Sequence, residues 1–282
     1  MRILITGASG RLSRRLIEIL QNDHAVIGLT KQQLDITDFD AVKRAMREHR
    51  PGLVIHSAAW TDVDGCAREP ERAIKINGFG AQHVALAAAA IDAAIVYISS
   101  NEVFYGQLNR PYLEYDRPNP YNSYGYSKMV GEQAVAAVNP RHYIVRTAWI
   151  FAHGGRNFIQ AILGAVQSGK RLRVVTDEVA NPTYNHDLAD AIQKLILTER
   201  YGIYHLVNEG ACSRYTFARH VLDQAGHEDA LIEPISSSEW PRASIPPAYT
   251  ALTNLAGSMV GVTLRPWQEA VDAFLRKEGL MR

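Results

Sequence analysis

The chain has 282 residues, 47% of them hydrophobic, enough to bury one large core or two smaller ones. Lys and Arg number 30 against 29 Asp and Glu, a net charge of +1, and no basic stripe is interleaved with aromatics, which excludes nucleic acid and anionic membranes as main partners. Cys66 and Cys212 are the only cysteines, too few for a disulfide framework and without C-x-x-C spacing, so a reducing cytoplasm is the expected compartment.

In chain order, Met1 to Gly7 predicts a strand that meets a glycine turn before any long apolar run can form, and is read neither as a signal peptide nor as a membrane span. Gly7-Ala8-Ser9-Gly10-Arg11-Leu12 ends that strand and opens a helix over Leu12 to Leu20. Glycines at such a turn let the backbone approach a pyrophosphate, whose charge the helix N-terminus favours. The spacing is Gly-x-x-Gly, and Ser13 occupies the place of a third glycine that would aid close packing of helix on strand.

A second strand over Ala25 to Leu29 ends without the Asp or Glu that would hold an adenosine ribose 2′-hydroxyl, which leans away from strict NAD use. Lys31 either meets a 2′-phosphate or is a solvated lysine at a strand end. Asp35-Ile36 either flanks an adenine or, through Asp35, caps the helix predicted over Asp38 to Glu48. A third strand, Leu53 to His56, leads to Ala58-Ala59-Trp60, small residues first, where a cofactor can lie against the sheet edge.

A helix over Arg68 to Ala90 precedes a fourth strand, Ile95 to Ile98, and then Ser99-Ser100-Asn101-Glu102. The two serines are either turn residues or, with Ser100 beside a substrate carbonyl, part of a site. The next helix, Tyr121 to Ala137, carries Tyr124 and Lys128 four residues apart and so on one face. Either the pair is incidental, or the ammonium favours the charged form of a phenol whose ordinary pKa is roughly 10. With Ser100 on the preceding strand, the functional reading gains. A fifth strand follows at Tyr143 to Arg146.

Strands alternating with helices predict an α/β fold, a Rossmann-type doubly wound parallel sheet over residues 1–150, to which 176–208 returns. Beyond Trp149 the rhythm changes: helices over Asn157 to Ser168 and Asp187 to Leu197, strands over Arg171 to Val175 and Ile203 to Val207, and an extended Pro- and Ser-rich loop system over Glu233 to Tyr249. Residues 151–175 and 209–282 are read as a smaller α+β substrate-binding lobe. No Ser-His-Asp or Cys-His set is apparent, the histidines lack metal spacing, and His153, His186 and His205 are read as structural or peripheral.

These residues resemble the extended short-chain dehydrogenases/reductases and, within them, the dTDP-4-dehydrorhamnose reductase family. The resemblance runs over essentially the whole chain. Besides the stretches above, it includes Asn77, Val103-Phe104-Tyr105-Gly106, Gly131-Glu132, Arg146-Thr147-Ala148-Trp149, Asn181-Pro182-Thr183 and Leu264-Arg265-Pro266-Trp267. It implies that Tyr124 protonates a C4 keto oxygen and that Lys128 holds the nicotinamide ribose and depresses the tyrosine pKa. It also places Ser100 where the family has a threonine that tunes this tyrosine, and Trp149 against the sugar. Gly7, Gly10, Arg11, Leu12, Asp35, Ile36, Ala58, Ala59 and Trp60 would line NADPH or NADH.

Two departures bear on the substrate. Where the family reads Ser-Thr-Asp-Tyr-Val-Phe-Asp-Gly, this chain has Asn101 for a carboxylate and Glu102 for a tyrosine. Where an arginine-proline element clamps the nucleotide diphosphate, Ser244-Ile245-Pro246-Pro247 stands, with Arg242 the nearest basic residue. Three functions stay in view: reduction of dTDP-4-dehydro-L-rhamnose, a 4-ketoreductase or epimerase for another sugar nucleotide, and a non-catalytic partner resembling the regulatory subunit of methionine adenosyltransferase. Some family members hold Mg2+ through surface glutamates at a dimer interface; those positions find no match here, so no metal ligand is assigned, and a homodimer is one assembly the resemblance allows.

Overall fold

The computed structural model describes residues 1–155 and 157–282. The first half builds one sheet: β1 Arg2–Thr6, α1 Arg11–Leu20, β2 Ala25–Leu29, α2 Phe39–His49, β3 Leu53–His56, α3 Val63–Arg68, α4 Pro70–Ala73, a π turn over Ile74–Phe79, α5 Gly80–Ala89, β4 Ala94–Ser100, α6 Ser123–Val138 and β5 His142–Thr147. The second half adds β6 Ile150–Phe151, α7 Phe158–Gln167, β7 Leu172–Val175, β8 Val179–Ala180, β9 Thr183–Tyr184, α8 Asn185–Ile196 and β10 Gly202–His205. It closes with β11 Cys212–Ser213, α9 Arg214–Gln224, β12 Ile232–Ile235, α10 Leu255–Met259 and α11 Trp267–Lys277.

Six strands form an all-parallel sheet in the order β10-β5-β4-β3-β1-β2. Alternate side chains of each strand enter different cores, as the pleat requires. Ile3 and Ile5 pack with Leu16 of α1 and with Leu188, Ile192 and Leu195 of α8. Leu4, Ile95, Tyr97 and Ile144 pack with Val42 of α2, Val84 and Ala85 of α5 and Val135 of α6. Both faces are covered, which explains why the strands read as continuous apolar runs.

A third core belongs to the second half. Phe151, Leu163 of α7, Leu172 and Val174 of β7, Phe217 and Val221 of α9, and Trp267 and Phe274 of α11 pack together. The chain leaves the large sheet after β5 and returns as β10, which pairs Gly202 with Tyr143 through His205 with Arg146.

Two segments differ from expectation. The single helix over Arg68 to Ala90 is broken into α3, α4, the π turn and α5, because Pro70 has no N–H to continue α3 and instead starts α4 at its first position. The loop system from Glu233 contains most of β12, whose Glu233, Pro234 and Ile235 register with Arg173, Val174 and Val175 of β7. Pro234 is tolerated there because a two-stranded pair leaves each strand an open edge.

Candidate active site

The carboxyl ends of β1, β3, β4 and β5 and the first turns of α1 and α6 enclose a cleft of about 1040 Å3. Gly7, Gly10, Arg11, Leu12, Lys31, Asp35, Ile36, Ala58, Ala59, Trp60, Tyr124 and Lys128 all line it, and so do Ser100, Asn101 and Trp149. Arg242 is not among the lining residues: its Nε lies 3.4 Å from Asp64 Oδ1 on α3, and Ser244 donates its N–H to the same oxygen at 2.9 Å.

At the nucleotide end, Gly7 has φ +68°, and a Cβ there would come within 2.8 Å of the Ala58 Cα, so the loop and the β3 edge meet with no room for a side chain. Gly10 caps α1 without a side chain, which leaves the first N–H groups of the helix for a ligand. Lys31, Arg72 and Lys75 share the outer wall. Asp35 does not cap α2; Asp38 does, accepting from Ala41 N at 2.9 Å. The Asp35 carboxylate accepts instead from Thr37 N and Oγ1 at 2.9 and 2.8 Å, and these bonds hold its pKa below the usual range. A glycine cradle, open helix N–H groups and a cationic outer wall fit a phosphorylated dinucleotide.

Trp60 is fixed from behind. Asn77 Oδ1 accepts its N–H at 2.8 Å, and Asn77 Nδ2 donates to its carbonyl at 3.0 Å and to Ser127 Oγ at 2.9 Å. Asn77 lies in the π turn, a widened helical segment often found at functional sites. In the sequence Asn77 stands out only through the resemblance, since a π turn leaves no signature in helical periodicity.

At the other end, Ser100 closes β4, and Asn122 starts α6 by accepting from Gly125 N at 2.8 Å. Asn122 Nδ2 also donates to Glu102 Oε2 at 2.6 Å, tying the helix start to the turn after β4. That tie sets the face of α6 bearing Tyr124 and Lys128 beside Ser100. The Ser100 hydroxyl donates to Asn101 Oδ1 at 3.3 Å and accepts from Glu102 N at 3.1 Å, while Asn101 Nδ2 reaches Thr250 Oγ1 at 2.7 Å.

The electrostatics differ from the expected depression of the tyrosine. Burial and then the Glu102 carboxylate push the Tyr124 phenol up, and its hydrogen bond with Ser100 pulls only partly back. The ring is half-buried, so water in the open cleft moderates the desolvation. Burial also lowers Lys128 to about 7, against the pull of Glu132, and its Nζ lies 4.1 Å over the Tyr97 ring. A lysine so depressed is only partly charged near neutral pH, so it favours a phenolate less than a fully protonated ammonium would.

Two further groups have no role assigned by the sequence. Thr147 ends β5 opposite Ser100, lines the cleft and is 4% exposed, and its hydroxyl has no hydrogen-bond partner among the described residues. Arg214, the first residue of α9, stacks its guanidinium 3.5 Å over Trp149 and stands 3.6 Å from Glu178 Oε2. Trp149 itself has φ +39°, a strained value for a bulky residue that its packing must hold. Behind this wall, Arg146 makes a buried two-bond pair with Glu132 at 2.9 and 2.8 Å, and Glu132 Oε1 accepts from Ser99 Oγ at 2.5 Å.

A family model described as the RmlD substrate binding domain matches residues 1–279. The spore coat polysaccharide biosynthesis protein SpsK of Bacillus subtilis is 37% identical, over 98% of this chain and 97% of that protein. A dTDP-4-dehydrorhamnose reductase of Mycolicibacterium smegmatis is 39% identical, over 96% of this chain and 84% of that protein. The crystal structure of dTDP-4-dehydrorhamnose reductase from Bacillus anthracis in complex with NADP superposes with a TM-score of 0.94 at 36% identity, covering 98% of this chain and 99% of that one.

Proposed function

This chain belongs to the family of the RmlD substrate binding domain, and from that premise we propose that it is an NAD(P)H-dependent oxidoreductase that reduces the C4 keto group of a nucleotide-linked 6-deoxyhexose. The substrate we favour is dTDP-4-dehydro-β-L-rhamnose, giving dTDP-L-rhamnose. The observation that carries this reading is the convergence of Tyr124, Lys128 and Ser100 on a cleft whose far end is the glycine loop.

When bound, the dinucleotide supplies the hydride for C4. Gly7, Gly10, Arg11 and Leu12 hold its phosphates, Lys31, Asp35 and Ile36 its adenosine, and Ala58, Ala59 and Trp60 its course along the sheet edge. Ser100 holds the sugar's C4 oxygen, and Tyr124 gives that oxygen its phenolic proton. The raised tyrosine suits this direction, because a donor must keep its proton at neutral pH until the oxygen becomes basic. Lys128 holds a ribose hydroxyl and orients the phenol. Asn101 and Trp149 position the sugar, with Arg214 stiffening the indole; Arg242, bound to Asp64 at the cleft's margin, is kept as a candidate for the nucleotide's outer part.

Residues 1–150 with 176–208 form the cofactor half and 151–175 with 209–282 the sugar-nucleotide half in this reading. The enzyme works in a reducing cytoplasm as a homodimer, its buried Cys66 and Cys212 thiols staying reduced. Among the described residues no helix is long and apolar enough to cross a membrane. The test is loss of NADPH absorbance on adding dTDP-4-dehydro-L-rhamnose generated in situ. Steady turnover is expected; tight NADPH binding with no turnover of this or any other 4-keto sugar nucleotide would refute the reductase reading in favour of a binding role.

A further inference from the structure

Reduction of a C4 ketone needs one proton, and Tyr124 supplies it; the cleft holds a second acid–base group that this step does not use. Glu102 follows Ser100 by two residues, in the turn after β4, and stands where the family reads a tyrosine. Its half-buried side chain lines the cleft. One oxygen is held: Oε2 accepts from Asn122 Nδ2 at 2.6 Å. The other, Oε1, accepts no hydrogen bond among the described residues and is not sealed from solvent.

The backbone fixes this carboxylate beside the reacting groups. Glu102 N donates to Ser100 Oγ at 3.1 Å, and a Cβ at Gly125 would overlap the Glu102 carbonyl oxygen, so only glycine lets the first turn of α6 lie so close. Tyr124 precedes that glycine, and after burial the Glu102 charge is the largest influence raising its phenol. The carboxyl is itself raised by burial, against the bond from Asn122 and the charges of Arg242 and Arg214. A carboxylate so raised is a stronger base than one in water. For hydride addition it is a hindrance, because that step gathers negative charge on the C4 oxygen, which a carboxylate repels. A chain that only reduced would be better served by a neutral side chain here.

The use that fits is at carbon. A hydrogen on C3 or C5 of a 4-keto sugar is acidic because its C–H electron pair can move through to the ketone oxygen, and two donors on that oxygen, Ser100 and Tyr124, stabilise the charge that arrives. We propose that the site also enolises its 4-keto sugar nucleotide, with Glu102 Oε1 as the base that takes the proton from a carbon next to C4 while Ser100 and Tyr124 hold the C4 oxygen. The C–H bond breaks, its pair forms the C=C bond of an enol, the carbonyl pair moves to oxygen, and the oxygen takes the Tyr124 proton. Reversal returns to the carbon a proton that Glu102 has exchanged with water. No electrons enter or leave, so the step needs no oxidant or reductant. The inference rests on the 4-keto substrate of the function proposed above and is independent of the hydride step.

The experiment uses dTDP-4-dehydro-L-rhamnose carrying deuterium at C3 and C5 and freed of the enzymes that made it. With NADP+ in place of NADPH, loss of deuterium to water is followed by mass spectrometry against an enzyme-free control, and NADPH oxidation with the same sugar is measured in parallel. Wild type is expected to wash out deuterium at one of the two carbons faster than the control. In Glu102→Gln, whose amide oxygen still accepts from Asn122, the ratio of exchange to reduction should fall about 100-fold, and in Tyr124→Phe far less, because the phenol serves both steps. Glu102→Asp, which withdraws the carboxylate by one methylene, should lower the same ratio by a smaller factor and keeps the test open if Glu102→Gln does not fold. Reduction without exchange by wild type overturns the proposal and leaves the reductase reading standing. Equal losses of exchange and reduction on changing Glu102 also overturn it, since they assign the residue to holding α6. A wild type that does neither overturns both.

Discussion

At the glycine-loop end of the cleft, the lining comes from Gly7 and Ser9 to Ser13, one strand-turn-helix unit, from Lys31 and Leu34 to Thr37 after β2, and from Ser57 to Thr61 after β3. At the sugar end, Ser100 follows β4, Trp149 follows β5, Arg214 starts α9, and Thr250 lies after the Ser- and Pro-rich segment. The first end uses backbone and glycines, so its shape survives most changes elsewhere. The second is an assembly of distant segments, each held by a side-chain contact such as Asn101 with Thr250 or Arg214 with Glu178. A cleft built in this way can change its sugar by exchanging side chains while its handling of the dinucleotide stays the same.

That contrast breaks if a change at one end disturbs the other. The largest effect is expected for Tyr124→Phe: kcat should fall about 1000-fold while the Kd for NADPH stays within about twofold, measured by single-turnover absorbance and by titration. A parallel loss of cofactor affinity would mean that the phenol serves the nucleotide end too.

Lys128→Met should lower kcat about 100-fold and at the same time raise the unliganded protein's melting temperature by about 5 °C at pH 7. The sign follows from burial. The folded lysine titrates near 7 and the unfolded one at 10.5, so between those values the unfolded chain binds more protons. The penalty is full below about pH 7 and fades as pH rises toward 10.5, so the gap between variant and parent should close over that window. A gap independent of pH would assign the gain to packing.

The smallest effect should come from the sugar wall. Arg214→Met removes the cation over Trp149 and should raise the KM for the sugar nucleotide about tenfold with little change in NADPH affinity. Steady-state kinetics with each substrate varied in turn would check it, and a larger loss for NADPH would erase the distinction between the two ends.

The same contrast explains what could be read from sequence. The parallel sheet, the glycine loop and the Tyr124/Lys128 face depend on residues close in the chain, where periodicity and turn chemistry act. Thr147 belongs to a stretch the resemblance includes, but a threonine at a strand end carries no signal of its own until its hydroxyl is seen to lack a partner among the described residues. Arg214 carries no such signal because its ring partner is far off in sequence, and Arg242 is singled out in the sequence by proximity along the chain, which does not show its pairing with Asp64. The direction of the Tyr124 shift is hidden from the sequence for a related reason. A four-residue spacing shows the lysine but neither the burial nor the Glu102 carboxylate that outweigh it.

The π turn over Ile74–Phe79 makes the aim of Asn77 a matter of counting. Each residue of a helix advances the chain by about 100°, so deleting any one residue of this turn would rotate Pro70–Ala73 against α5. The amide would then swing away from Trp60, although every side chain involved was still present. Such a segment accepts changes of residue type more readily than changes of length. Among relatives, it is expected to drift in spelling while remaining free of gaps.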